Sequence, residues 1–316
     1  CLDPMTTLTS APPSLPELTT TPLAVAAPRR GLLTLYLELT KARLSALVLV
    51  TTAVGFILGT RGEFDWPRLL WTILGTALAA GCASAFNQLW EIRRDARMHR
   101  TENRPLPSGS MSPLHAFIAA TLMGYAGLCM LALGVNLQAA GLALLTIVLY
   151  VLAYTPLKSR STLNTIVGAV CGAIPPMIGW VAAAGRLDFG AWILGAILFV
   201  WQIPHFFALA WLYRADYERG GFAMLPVLDR DGRITTKVIV ITSLMLIPLG
   251  LLATLLNVAG IAAAIGSLAL GLWLLALSVR LHRTHRDDHA RALFVASIAY
   301  LPLLLALLVI DRGPLA

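Results

Sequence analysis

The stretch Asn87-Gln-Leu-Trp-Glu91-Ile-Arg-Arg-Asp95-Ala-Arg-Met-His-Arg100-Thr-Glu-Asn-Arg104-Pro-Leu-Pro-Ser-Gly109 begins in an apolar segment and ends in a polar loop. Asn87, Glu91 and Asp95 recur every four residues, so on a helix they share one face. Each step climbs about 6 Å, which lets Glu91 and Asp95 flank one hard cation. Arg94, Arg97, Arg100 and Arg104 follow at once. Carboxylates beside an arginine cluster suit a metal–diphosphate better than either element alone. The plainer reading is a basic loop laced with i, i+4 ion pairs. Its place at the end of an apolar segment weighs against that reading.

That segment is one of many. The chain is 316 residues long, 58% hydrophobic and only 13% charged, with a mean hydropathy of +0.76. Soluble domains are about a quarter charged, so the composition defines an integral membrane protein. Apolar runs long enough for a bilayer of about 30 Å fall at 44–60, 69–90, 113–133, 137–155, 163–184, 189–212, 236–256, 260–280 and 293–310. The expected fold is all-α: about nine transmembrane helices around a central cavity, with kinks at Pro204 and Pro248. Residues 1–30, rich in Thr, Pro, Ser and Ala, read as a disordered tail, and 31–316 as a single transmembrane domain. The tail has neither a secretory nor a transit-peptide pattern.

A net charge of +8 would suggest nucleic acid in a soluble protein. Here the basic residues sit in short loops, so the lipid bilayer is the expected partner and nucleic acid is not. With nine spans, Arg61, Arg68, Arg186 and Arg312 lie on one side and the other twenty of the 24 Lys and Arg on the side of the tail. The positive-inside rule then places the N-terminus in the cytoplasm and the C-terminus outside. The four cysteines, Cys1, Cys82, Cys129 and Cys171, form no C-x-x-C pair and suggest neither a disulfide framework nor a zinc site.

The chemistry-bearing residues gather in loops of the same side. The loop between the fourth and fifth spans carries Tyr154, Thr155, Lys158 and Asn164. The one between the sixth and seventh follows Trp201, Pro204, His205, Phe206 and Phe207 and carries Asp216, Tyr217 and Met224-Leu-Pro-Val227. Three such loops can ring one cavity open to the cytoplasm.

At these residues the chain resembles the intramembrane prenyltransferases of the UbiA superfamily, and within it the protoheme IX farnesyltransferase family. The matching runs are Thr40-Lys41-Ala42-Arg43-Leu44-Ser45, Asn87 through Asp95 to Arg104-Pro-Leu106, Tyr154-Thr155 with Lys158, Asn164 through Pro175-Pro176 to Gly179-Trp180, Pro204-His205-Phe206, and Asp216-Tyr217 through Val227. Ala42 stands where that family usually has proline and Glu91 where aspartate is common. Gly220 stands where many members have a second aspartate, leaving the second acidic motif one carboxylate short.

The resemblance implies farnesyl transfer from farnesyl diphosphate to the vinyl group of haem B, giving haem O and diphosphate, with Mg²⁺ as cofactor. It implies Glu91, Asp95 and Asp216 as metal ligands and Asn87, Glu91, Asp95, Lys158 and Asp216 as catalytic residues. Lys41, Arg43, Arg100, Arg104, Tyr154, Asn164, His205 and Tyr217 would bind substrate, His205 on the haem side. Phe86, Tyr150, Tyr154, Trp201 and Phe206 are candidates to shield an allylic cation. The location implied is a bacterial inner membrane, with a haem A synthase or a terminal oxidase assembly downstream. Plainer readings stay open: Lys158 as a snorkelling side chain, Asn87 as a helix–helix hydrogen bond, His205 as a core imidazole, Tyr150 and Tyr154 as interfacial anchors, and Asp216 as a solvated acid. A different aromatic or tetrapyrrole acceptor is the alternative within the superfamily. A transporter is the remote one, because the ionisable residues gather at one face and no internal repeat is evident.

Overall fold

The computed structural model describes residues 31–313; the tail expected at 1–30 lies outside them. A short helix, α1 (Leu32–Leu39), precedes α2 (Ala42–Gly59), α3 (Trp66–Asp95), α4 (Pro113–Gly134) and α5 (Leu137–Val148). A π-helical stretch, Leu149–Tyr154, carries α5 into α6 (Thr155–Leu157). Then come α7 (Asn164–Ala184), α8 (Phe189–Leu212), the short α9 (Arg214–Arg219) and α10 (Leu225–Leu228), α11 (Arg233–Leu255), α12 (Ile261–Thr284) and α13 (Asp287–Ile310). Among the described residues nine helices are long and apolar enough to cross a membrane, counting Leu137–Leu157 as one.

The expected spans and these helices differ mainly at their ends, because polar residues prolong helices past the apolar window. α3 is the clearest case. Its 30 residues reach about 45 Å, well beyond a hydrocarbon layer of about 30 Å. The excess is its last turns, which carry Glu91 and Asp95. Asp65 caps its start, with Oδ1 accepting from Arg68 N at 2.9 Å.

The spans form a closed bundle. α3 packs on α4, α2 crosses α7, α8 is held between α7, α11 and α13, and α13 closes the ring against α2. Of the nine, α7 and α8 are the most buried. Small residues allow the closest crossings, as expected where lipid gives helices no hydrophobic drive to associate. A Cβ on Gly179 would overlap the Thr52 carbonyl oxygen, and one on Gly55 that of Pro176, so α2 and α7 touch through backbone. α8 runs on through Pro204, and α11 through Pro248.

The π-helical stretch was not expected from the sequence. Its cause is local. Pro156 has no N–H to donate and its ring crowds the carbonyl four residues back. The chain widens by one residue, so Thr155 N bonds to Tyr150 O, and Thr155 Oγ1 donates to the same oxygen at 2.7 Å. Tyr150 and Tyr154 come to lie side by side, their ring centroids 5.0 Å apart.

Candidate active site

A cavity of about 270 Å³ opens at the end of the bundle where α3 ends. Its wall includes Lys41, Glu91, Asp95, Arg100, Arg104, Tyr150, Tyr154, Lys158, Asn164, His205, Phe206, Tyr217 and Phe222. Residues from α2, α3, α7, α8 and three loops thus converge as the sequence analysis expected. Asn87, Arg43 and Asp216 are not on that wall, and neither are Phe86 and Trp201.

The carboxylates are buried and each faces a cation. Glu91, 1% exposed, lies with Oε1 2.8 Å and Oε2 2.9 Å from Lys158 Nζ. Only the contact to Oε2 is a well-formed hydrogen bond, and Oε1 is left buried without one. Asp95, 2% exposed, accepts from Arg104 Nη1 at 2.7 Å. Thr101 Oγ1 bonds back to the Asp95 carbonyl at 2.8 Å and folds the loop so that Arg104 can reach.

The cations are held as deliberately. Burial lowers the pKa of Lys158, but the Glu91 carboxylate with its hydrogen bond, together with Tyr150 and Tyr217, raises it above the ordinary lysine value. The Lys158 ammonium also lies 4.7 Å from the Phe222 ring centre and 5.4 Å from that of Tyr154. Lys41 is pushed down to about 7, first by burial and then by Arg104 and Lys158 nearby. Its Nζ donates to Asn87 Oδ1 at 2.6 Å, while Asn87 Nδ2 donates to Thr155 Oγ1 at 3.1 Å. Asn87 is therefore an interhelical strut that aims Lys41. Arg100 Nη2 donates to the Tyr217 hydroxyl at 3.1 Å, and its guanidinium lies 5.3 Å from the ring centres of Tyr213 and Tyr217.

Other residues lock the loops together. Asn164 Nδ2 donates to Ser161 O at 2.6 Å and to Ala223 O at 3.0 Å, and Ala223 N donates to Lys158 O at 2.7 Å. Asp216, 7% exposed, accepts from His99 N at 3.3 Å and pairs with Arg219. It fastens α9 to the loop after α3. Arg43 lies exposed. Phe222, packed over Lys158, was missed by the sequence analysis. The only signal was Gly220-Gly221 before it, with Gly221 at φ 67° turning the chain back toward the cavity.

No metal cluster of three or more His, Cys, Asp or Glu side chains forms among the described residues. The donor set nonetheless fits Mg²⁺. That ion takes one or two protein carboxylates and completes its shell with phosphate oxygens and water. Two buried carboxylates share one wall, and one of their oxygens has no hydrogen bond.

The fold and this cavity define a polytopic membrane protein with a buried site for a polyanion. The pattern of the UbiA prenyltransferase family matches residues 48–299, and the chain belongs to that family. It is 43% identical over 286 residues to the protoheme IX farnesyltransferase of Solibacter usitatus, covering 88% of this chain and 98% of that one. Its fold is similar to a digeranylgeranylglyceryl phosphate synthase, with a TM-score of 0.76 at 16% identity, covering 88% and 98% of the two chains. It is also similar to a UbiA homologue from Archaeoglobus fulgidus bound to GPP and Mg²⁺, with a TM-score of 0.65 at 15% identity, covering 87% and 99%.

Proposed function

We propose that this chain transfers the farnesyl group of farnesyl diphosphate to a vinyl group of haem B, giving haem O and diphosphate, with Mg²⁺ as its cofactor. The observation that carries the reading is a single cavity whose wall combines Glu91 and Asp95, the cations Lys41, Arg100, Arg104 and Lys158, and the rings of Tyr150, Tyr154, Phe206 and Phe222. The relatedness to a protoheme IX farnesyltransferase supports the choice of donor and acceptor.

Mg²⁺, when bound, supplies charge that stabilises the departing diphosphate. Glu91 and Asp95 would hold it. Lys158 and Arg104 then turn from these carboxylates to phosphate oxygens, joined by Lys41 and Arg100. The allylic C–O bond breaks and its electron pair leaves with the diphosphate. The rings of Tyr150, Tyr154, Phe206 and Phe222 face the cation formed and keep water from it. The vinyl π electrons make the new C–C bond. Water adds to the resulting benzylic-type cation and loses a proton, leaving a hydroxyethylfarnesyl group. Asp216 supports this through the backbone of His99, which positions Arg100.

The cavity, at about 270 Å³, is below the ~300–1,000 Å³ usual for sites that enclose a drug-sized ligand. The isoprenoid tail and the macrocycle therefore extend between spans toward lipid. The site belongs on the cytoplasmic side of a bacterial inner membrane, with the N-terminus in the cytoplasm and residues 31–316 acting as one domain. A haem A synthase or terminal oxidase assembly is the natural recipient of the product. The test is the porphyrin profile, by mass spectrometry, of a host that lacks this activity and expresses the chain. Haem O is expected. A membrane-inserted protein that leaves haem B unchanged would refute the reading.

A further inference from the structure

His205 carries an inference that rests on haem as the acceptor and names how it is held. The residue lies in the α8 span, seven residues before Leu212, or about 10 Å from that end of the helix. It lines the same cavity as Glu91, Asp95 and Lys158. Its ring is stacked with Trp201, centroids 4.9 Å apart at 19°, and with Phe294, 5.0 Å apart at 27°. Phe206 meets it edge-on at 5.6 Å. Trp201 is itself fixed, its Nε1 donating to Ser297 O at 2.9 Å. With stacked neighbours at its faces, the imidazole reaches the cavity by its edge.

One ring nitrogen is already used. His205 Nδ1 lies 2.8 Å from Ser297 Oγ on α13. Ser297 has a single hydroxyl proton, and its Oγ also lies 2.6 Å from the Phe294 carbonyl oxygen. A carbonyl can only accept, so the hydroxyl donates there. Ser297 Oγ must then accept from His205, which places the proton on Nδ1. That leaves Nε2 unprotonated, with a lone pair and no partner among the described residues, on a side chain that lines the cavity. A group of this kind cannot donate to a propionate or to a diphosphate. It is the form of imidazole that binds a transition metal, with its other nitrogen oriented by a second residue.

We propose that His205 Nε2 is the axial ligand to the iron of the haem acceptor, and that Ser297 is a positioning residue that sets its tautomer. The ligand would fix the height and tilt of the macrocycle in the cavity, so that a vinyl edge faces the diphosphate end. It would take no part in breaking the allylic C–O bond. Phe206, beside it on the same wall, offers the macrocycle an apolar ring.

The experiment uses the full chain in nanodiscs, titrated separately with ferric haem and with metal-free protoporphyrin IX. The readouts are the Soret band, the electron paramagnetic resonance spectrum and the affinity. The wild type is expected to give an imidazole-ligated iron spectrum. H205A should lose that spectrum and bind ferric haem about 100-fold more weakly, and added imidazole should restore the spectrum. S297A should keep the ligand but weaken haem binding by about tenfold, the effect expected of an orienting partner. Metal-free protoporphyrin should bind wild type and H205A alike. Should H205A misfold, H205Q, which keeps a polar side chain there, must show the same loss of the iron signature. A ferric haem spectrum and affinity unchanged in H205A or H205Q would overturn the proposal. A wild type that binds neither porphyrin would instead overturn haem as the acceptor.

Discussion

Lys158→Met is the most informative single change, because it separates a structural role from a chemical one. Methionine keeps much of the volume and flexibility of lysine and removes only the charge. In the structure Lys158 is 12% exposed and Glu91 1% exposed, so the carboxylate left behind is largely desolvated and meets water only through the cavity. Removing one partner of such a pair costs ~3–5 kcal/mol. Glu91 can limit the loss by taking up a proton, which favours the lower end. At roughly 2–4 °C per kcal/mol for a chain of this general size, the apparent Tm in detergent should fall by about 6–12 °C. Turnover should fall further, by about 10²–10³-fold, the range for losing one donor that stabilises transition-state charge. The decisive assay pairs it with Glu91→Gln. The double variant has no buried charge at this point, so most of the stability should return while turnover stays low. If Lys158→Met changes neither Tm nor turnover, the side chain merely snorkels. If the double variant regains both, the pair is structural and the proposed chemistry at Lys158 fails.

The remaining expectations are simpler to measure. Asp95→Asn should lower farnesyl transfer by about 10²-fold or more while the protein still inserts, because Arg104, 26% exposed, can turn to water; near-normal turnover by the purified variant would remove Asp95 from the metal site. Chelation by EDTA should abolish activity and Mg²⁺ restore it, and full activity after exhaustive chelation would refute the cofactor assignment. Cysteines placed at Ser108, Ser159 and Arg230 in a background without native cysteines should react only from the cytoplasm, and one at Glu63 only from outside. Ser108 and Glu63 reacting from the same side would overturn the topology. Gly179→Ala should sharply reduce the yield of folded protein, since its Cβ has no room against the Thr52 backbone, whereas Gly141→Ala, with open space around it, should be neutral; equal yields would contradict the α2–α7 crossing.

Much of this protein was legible in one dimension. Span number follows from apolar length alone, since lipid forces each crossing segment to satisfy its own backbone hydrogen bonds as a helix. The four-residue spacing of Asn87, Glu91 and Asp95 put them on one face of α3, because helix geometry is local. Tertiary structure decided what that face meets. Asn87 aims Lys41 and bonds Thr155, Glu91 meets Lys158 from a segment 67 residues away, and Asp95 meets Arg104. Those pairings depend on the π-helical stretch before Pro156 and on loop turns whose outcome rests on distant packing. Asp216 and Phe222 sit six residues apart in sequence, yet one holds a loop backbone and the other covers Lys158. The tautomer of His205 was beyond reach of the sequence, since it is set by Ser297, 92 residues later on the last span, and by where that serine sends its one proton.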